Sequence, residues 1–237
     1  MRFLLPAVLL ALPFPWDAAG SGERSPAPVL AELFTSQACS SCPPAEALFA
    51  DLAEDEGVIA LEWHVTYWDD LRTREGVWAD PFSDPAFTER QRAYNQALRG
   101  TRGVYTPQAV VGGASEAVGS RRRAVRDLID AARPAPGAAL FVARTGTGLE
   151  VAATGVGGDG AELWVAVFDR EAATDVVRGE NAGRALRSRN VVRSAARLAL
   201  RDGRAALPLP GEGQGCAVWL QAPGQGPVLA AAYCPES

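Results

Sequence analysis

Four cysteines, Cys39, Cys42, Cys216 and Cys234, are the residues of this 237-residue sequence best suited to covalent chemistry, and their spacing divides them into two unlike pairs. Cys39-Ser40-Ser41-Cys42 sets two thiols two residues apart. At a helix N-terminus such a pair interconverts dithiol and disulfide without moving the backbone. The helix dipole and free amides there stabilise a thiolate and lower its pKa from about 8.5 into the range of about 3.5–7.5. Cys39 is then the nucleophile and Cys42 the resolving thiol: a mixed disulfide with a partner forms on Cys39, and attack by Cys42 releases it. Cys216 and Cys234 lie in two strand-like runs, 216–220 and 228–234, around a turn-rich 221–227. In a hairpin they fall nearly opposite each other, within reach of a structural disulfide. Two unrelated buried thiols are the alternative.

Metal chemistry competes for the same thiols. A tetrahedral zinc site needs four ligands, and the sequence has no second Cys-x-x-Cys and a single histidine, His64. A soft-metal site is the stronger rival, with Cys39, Cys42 and His64 binding copper. Other roles for His64 are a proton shuttle or a satisfied core histidine.

The elements around the dithiol are legible from periodicity and punctuation. Residues 28–35 form an apolar strand running directly into Cys39, and 43–56 carry Ala45, Leu48, Phe49 and Leu52 at helical spacing before Gly57. A second strand over 58–68 completes a βαβ unit, which implies a parallel pair. Residues 69–83 read as a loop containing Trp78 and Phe82, and Asp84-Pro85 opens a helix reaching Leu98. Tyr105-Thr106-Pro107 leads into a strand at 108–111, a Gly112-Gly113 turn, a strand at 116–118 and a helix from Ser120 that buries Val125, Leu128, Ile129 and Ala132. Pro134-Ala135-Pro136-Gly137 marks a break. Downstream, short β-like segments at 138–143, 148–153, 161–168, 191–200 and 204–209 and the terminal hairpin predict a mostly β domain over 138–237, a small sandwich. The arginine-rich stretch from Gly179 through Arg184, Arg187, Arg189 and Arg193 reads as a polar loop before a strand, either docking the domains or simply solvated.

The order βαβ, helix, ββα over residues 28–133 resembles a thioredoxin fold, an α/β architecture with Cys-x-x-Cys at the head of the first helix. The resemblance implies that the proline before the hairpin is cis and lies against the dithiol, where the preceding residue pairs with a bound peptide; Thr106-Pro107 matches that position. It also implies a buried carboxylate late in the first strand that moves the proton of the resolving cysteine. Glu32, seven residues before Cys39, is the candidate, with an exposed strand glutamate as the alternative. Trp68, Trp78 and Tyr105 are candidates for lining a substrate groove, with packing as the alternative. Three segments, 32–44, 64–69 and 179–184, resemble more closely a family of bacterial secreted proteins classed as domain of unknown function 1223, which carries no established substrate.

Residues 1–20 have the form of a secretory signal: Met1-Arg2, an apolar run from Phe3 to Trp16, then small residues. Pro6, Pro13 and Pro15 interrupt that run, and it is short for a membrane span, so no span is expected once the signal is removed. An even cysteine count fits the oxidising compartment this implies, periplasmic or secreted. The net charge of −5 offers nothing to nucleic acid or an anionic membrane. The expected activity is thiol–disulfide exchange with cysteine-containing exported proteins or a redox partner, needing no cofactor because the cysteines themselves carry the electrons. Copper delivery and a non-catalytic binding module with a stable Cys39–Cys42 disulfide are the alternatives.

Overall fold

The computed structural model describes residues 27–132, 137–155 and 160–236. The signal expected at 1–20 and most of the break at 134–137 lie outside the described residues. The first half runs β1 (Val29–Thr35), α1 (Pro43–Ala53), β2 (Val58–His64), a 3-10 turn (Thr66–Trp68), α2 (Pro85–Arg99), β3 (Gln108–Val111), β4 (Ser115–Val118) and α3 (Arg122–Ala131). The second half is β5 (Ala139–Arg144), β6 (Leu149–Thr154), β7 (Glu162–Val176), β8 (Arg184–Leu198), β9 (Arg204–Leu207), β10 (Gln214–Gln221) and β11 (Val228–Tyr233). No helix among the described residues is long and apolar enough to cross a membrane.

β1 and β2 are parallel, in register from Val29↔Val58 to Thr35↔His64, and every residue of both strands is buried. Burial on both faces explains why they read as near-continuous apolar runs. The faces still differ. Val29, Ala31 and Leu33 pack with Val58 and Ala60 against α1 (Leu48, Phe49, Leu52) and α3 (Val125, Ile129). Leu30 and Phe34 pack with Ile59, Leu61 and Trp63 on the other face, against Phe87 and Tyr94 of α2 and Trp219 of β10.

Local chemistry sets the helix ends. Pro43 and Pro44 occupy the first positions of α1 immediately after Cys42. Asp84 caps α2 by accepting the Ala86 N–H at 2.7 Å, and Gly100 at φ +67° closes it.

Two sequence expectations are corrected. The halves read as separate domains share one eight-stranded sheet of order β11-β10-β7-β8-β2-β1-β3-β4, joined where β8 runs parallel to β2 at Glu62↔Val191. The three-stranded sheet β5-β6-β9 packs Leu149, Val151 and Leu207 on Val165 and Val218 of that sheet. The arginine-rich stretch is strand from Arg184 onward: β7 and β8 pair antiparallel out to Val176↔Arg184. Buried Leu186 and Ser188 alternate there with Arg187 and Arg189, a period of two that the arginines mask. Cys216 and Cys234 form a disulfide across β10 and β11, with Cα atoms 5.2 Å apart and the Cys234 N–H on the Cys216 carbonyl at 2.8 Å.

Candidate functional site

β1 ends at Thr35, and a tight turn carries the chain to the dithiol: Cys39 N–H donates to Ser36 O at 3.0 Å, and Cys42 N–H to Cys39 O at 3.2 Å. Cys39 and Cys42 form a disulfide at the head of α1, with Cα atoms 5.4 Å apart. The two prolines have no N–H, and the amides of Ala45 and Glu46 bond to Cys42 O. Little of the usual helix-head donor set is therefore free to stabilise a thiolate. The Ser41 hydroxyl, 3.3 Å from Cys39 Sγ, is the side-chain group placed to replace it.

Both cysteines are fully buried, while Ser40 and Ser41 between them are exposed. The turn between β7 and β8 is bonded to this loop. Glu180 Oε2 accepts the Ser40 N–H at 2.9 Å, and Asn181 Nδ2 donates to Gln37 O and Cys39 O, each at 2.9 Å. Gly179, at φ +78°, lies against Trp78, where a Cβ would come within 2.9 Å of the Trp78 Cβ.

A buried polar cluster sits on the α1 face of the sheet. Glu46, one turn after Cys42 and so on the same side of α1, accepts the Thr35 hydroxyl at 2.7 Å. Glu62 and His64 project from β2 on the same face as Val58 and Ala60. His64 Nδ1 pairs with Asp80 Oδ2 at 2.7 Å, and His64 Nε2 is 3.8 Å from Glu62 Oε2. Asp80 Oδ2 also accepts the Gln37 N–H at 2.7 Å, tying this cluster to the loop that carries Cys39. Both Glu62 oxygens and His64 Nε2 are buried without a hydrogen-bond partner.

Charge in the cluster is set by burial and by one ion pair. Burial disfavours the imidazolium, yet the charge and hydrogen bond of Asp80 together with Glu62 outweigh it and lift His64 to about 10. Against the same burial, the His64 charge together with hydrogen bonds from His64 and the Gln37 and Phe82 amides holds Asp80 below its usual value. Burial and then the neighbouring Glu62 charge push Glu46 up to about 7, and burial raises Glu62 as well. Near neutrality the cluster holds the His64 cation, the Asp80 anion and, in Glu46, a carboxyl group able to take or release a proton.

These shifts have a signed consequence for stability. Glu46 binds its proton more tightly folded than unfolded, so its contribution is full below about pH 4.5 and is lost as pH rises through about 7. His64 acts in the same direction between about 6.5 and 10. Urea unfolding of the oxidised protein is expected to show stability falling from pH 4.5 to 7, by at most about 1.4 kcal/mol per pH unit for a single group. Glu46→Gln should make the decline in that window shallower, leaving the share of the raised Glu62, and should leave the decline above pH 7. An unchanged slope in the variant would contradict the assignment.

The other sequence candidates fall as follows. The Thr106-Pro107 bond is cis, and Trp68 Nε1 donates to Thr106 Oγ1 at 2.8 Å. Pro107 lies beside the first turn of α1: a Cβ on Gly119 would meet Leu33 Cδ1 at 2.7 Å, Ala45 Cβ at 3.2 Å and Pro107 Cβ at 3.3 Å, so glycine permits this close approach. Trp78 Nε1 donates to Gln37 Oε1 at 3.3 Å, which places Trp78 at the dithiol loop, whereas the Tyr105 hydroxyl is tied to Glu116. Glu32 is on the opposite face of the sheet from α1. It shares the face of Leu30 and Phe34, and Arg90 Nε and Tyr94 OH hold it at 2.7 Å and 2.5 Å. The carboxylates beside Cys42's helix are Glu46 and Glu62, on the other parity. Cys39 and Cys42 are joined in a disulfide and do not assemble with His64 as a copper set. Among the described residues no group of three or more His, Cys, Asp or Glu side chains could hold a metal ion.

Sequence reasoning gave no site role to Glu46, Glu62, Asp80, Glu180 or Asn181, although it singled out the segment 179–184 holding the last two as one that could dock the two halves. The first two carried a signal: a glutamate four residues after Cys42 on an apolar helix face, and one in step with Val58 and Ala60. The last three come from loops distant in sequence. A cleft of about 510 Å³ lined by Phe87, Trp164, Arg193 and Arg197 opens against α2 and contains none of the candidate residues.

Residues 30–221 match the family described as "Protein of unknown function (DUF1223)". The chain is similar to the crystal structure of protein AGR_C_4864 from Agrobacterium tumefaciens, with 28% identity, a TM-score of 0.74 and coverage of 91% of this chain and 98% of that one. HBP35 of Porphyromonas gingivalis shares the fold at 14% identity, with a TM-score of 0.55 over 90% of this chain and 76% of that one. No curated protein matches.

Proposed function

Because the chain belongs to the DUF1223 family, whose function is unknown, its chemistry rests on its own site, and we propose that it is an exported, thioredoxin-like thiol–disulfide oxidoreductase acting on cysteine-containing proteins. The observation that carries this reading is the Cys39–Cys42 disulfide at the head of α1 with Glu46 one turn away over a buried polar cluster. A structural cross-link would need neither the carboxyl groups nor the ion pair beneath it. The order of elements over the first half and the placement of Pro107 beside α1 support the thioredoxin-like reading. Two disulfides in one chain support an oxidising compartment.

In the oxidising direction, a substrate thiolate attacks Cys39 Sγ, forming a mixed disulfide, and the Cys39–Cys42 bond breaks with its electron pair on Cys42. Glu46 in its protonated form supplies the proton that Cys42 takes up. The substrate's second thiolate then attacks its own sulfur in the mixed disulfide and expels Cys39 as a thiolate next to the Ser41 hydroxyl. The substrate has lost two electrons and the protein has gained them. The reverse sequence reduces a substrate disulfide, with Glu46 as the base toward Cys42.

The test mixes oxidised full-length protein with a peptide bearing two cysteines. One peptide disulfide should form per chain as Cys39 and Cys42 become free thiols. A peptide that stays reduced beside an intact Cys39–Cys42 bond would contradict the proposal.

A further inference from the structure

Exchange requires a thiolate to reach sulfur in line with the bond it breaks, yet Cys39 and Cys42 are both fully buried. Ser40 and Ser41 are open to solvent, so what covers the sulfurs arrives from elsewhere in the chain. The tip of the β7–β8 hairpin comes from the second half of the chain and is bonded to the loop that carries them. Three hydrogen bonds hold it to the dithiol loop, one through Glu180 and two through Asn181, whose amide is itself buried. The grip is incomplete, because Asn181 Oδ1 has no partner although it is buried. The rest of the hairpin is anchored independently of this contact by the β7–β8 ladder, with Val176 and Leu186 buried and Gly183 N–H on Val176 O at 2.7 Å.

The oxidation state of the cysteines changes what this tip meets. The disulfide is neutral, and Glu180 then takes the Ser40 amide without opposition. A Cys39 thiolate places a second anion next to that carboxylate, and both draw on the few donors available, since Pro43 and Pro44 supply none. Like charges competing for one amide disfavour the closed tip. We propose that the turn 179–183 is a redox-linked lid, closed over the Cys39–Cys42 disulfide and released from the dithiol, so that a partner gains the sulfurs by displacing it. The proposal rests on the dithiol-exchange reading above. By linkage the coupling runs both ways: a lid that prefers the disulfide also holds the pair oxidised, and loosening the lid eases reduction.

The experiment uses the full-length chain and dithiothreitol, which gives up two electrons and two protons to the disulfide and leaves as its own cyclic disulfide. Amide hydrogen exchange is followed by mass spectrometry in peptides covering 177–186, with a β10 peptide as the reference. Reduction should speed exchange at 177–186 by about tenfold or more and leave the reference unchanged. In a second arm, oxidised Asn181→Ala should be reduced about tenfold faster than the unmodified chain, and Glu180→Gln should show a smaller lid response to reduction. Reduction at the same rate in Asn181→Ala, or identical exchange at 177–186 in the two redox forms, overturns the lid while the dithiol reading stands. Failure of dithiothreitol to reduce the pair in either chain overturns both.

Discussion

Cys39→Ser is expected to bring thiol–disulfide exchange down to background, while Cys42→Ser, given the symmetric disulfide of a single-cysteine peptide, should arrest the reaction part-way and accumulate a one-to-one mixed disulfide as the other half of the peptide leaves as a thiol. The asymmetry follows from position. Cys39 is flanked by exposed Ser40, its carbonyl is bonded to Asn181 of the hairpin tip, and its sulfur has the Ser41 hydroxyl at 3.3 Å. Cys42 opens α1, with Pro43 and Pro44 behind it and Glu46 one turn on. It is placed to resolve an intermediate, and removing it leaves that intermediate nothing to release it. Mass spectrometry of the two variants after incubation with the peptide separates the roles. Mixed disulfide accumulating on Cys39→Ser instead would reverse the assignment of nucleophile and resolving thiol.

The second large effect concerns the far face of the sheet. Arg90 is buried with its guanidinium bonded to Glu32 at 2.7 Å and 3.2 Å, and it lies 4.9 to 5.1 Å from the ring centres of Trp63, Tyr94, Trp164 and Trp219. These rings come from β2, α2, β7 and β10, so one side chain joins the two halves of the chain at their common core. Arg90→Ala breaks the buried ion pair and leaves Glu32 only the Tyr94 hydroxyl, which costs about 3–5 kcal/mol. Denaturant unfolding should read that loss, and adding Glu32→Gln should recover part of it. A loss under about 1 kcal/mol would contradict the account of this cage. Glu32→Gln alone should leave the pH profile of exchange unaltered, whereas Glu46→Gln should change it, because only Glu46 shares a face with the dithiol.

How much of this was legible in the sequence depends on the range over which each feature is encoded. Asp84-Pro85, Gly57 and Gly100 punctuate the first half locally, and the helices and strands between them are readable from their apolar spacing. Cys216 and Cys234 pair across a short hairpin, where register follows from the turn. Glu32 misleads because β1 is buried on both faces, so no polar–apolar alternation reveals which side faces α1. Its partner Arg90 lies in α2, 58 residues further along the chain. The parallel contact of β2 with β8 joins segments far apart in sequence and leaves no local mark. Glu180 and Asn181 have the composition of a solvated turn, and their role as a cover arises only once β7 and β8 carry that turn over α1.

The most direct test of the central claim is the redox equilibrium of Cys39 and Cys42 in glutathione buffers at pH 7, read by alkylation and mass spectrometry, with Cys216–Cys234 as an internal reference. The account predicts a reversible two-electron transition for Cys39–Cys42 at a potential above about −300 mV, where structural disulfides resist reduction by the glutathione pool, while Cys216–Cys234 stays oxidised. A Cys39–Cys42 bond that remains intact alongside Cys216–Cys234 throughout that range would contradict it and make the first pair a cross-link like the second.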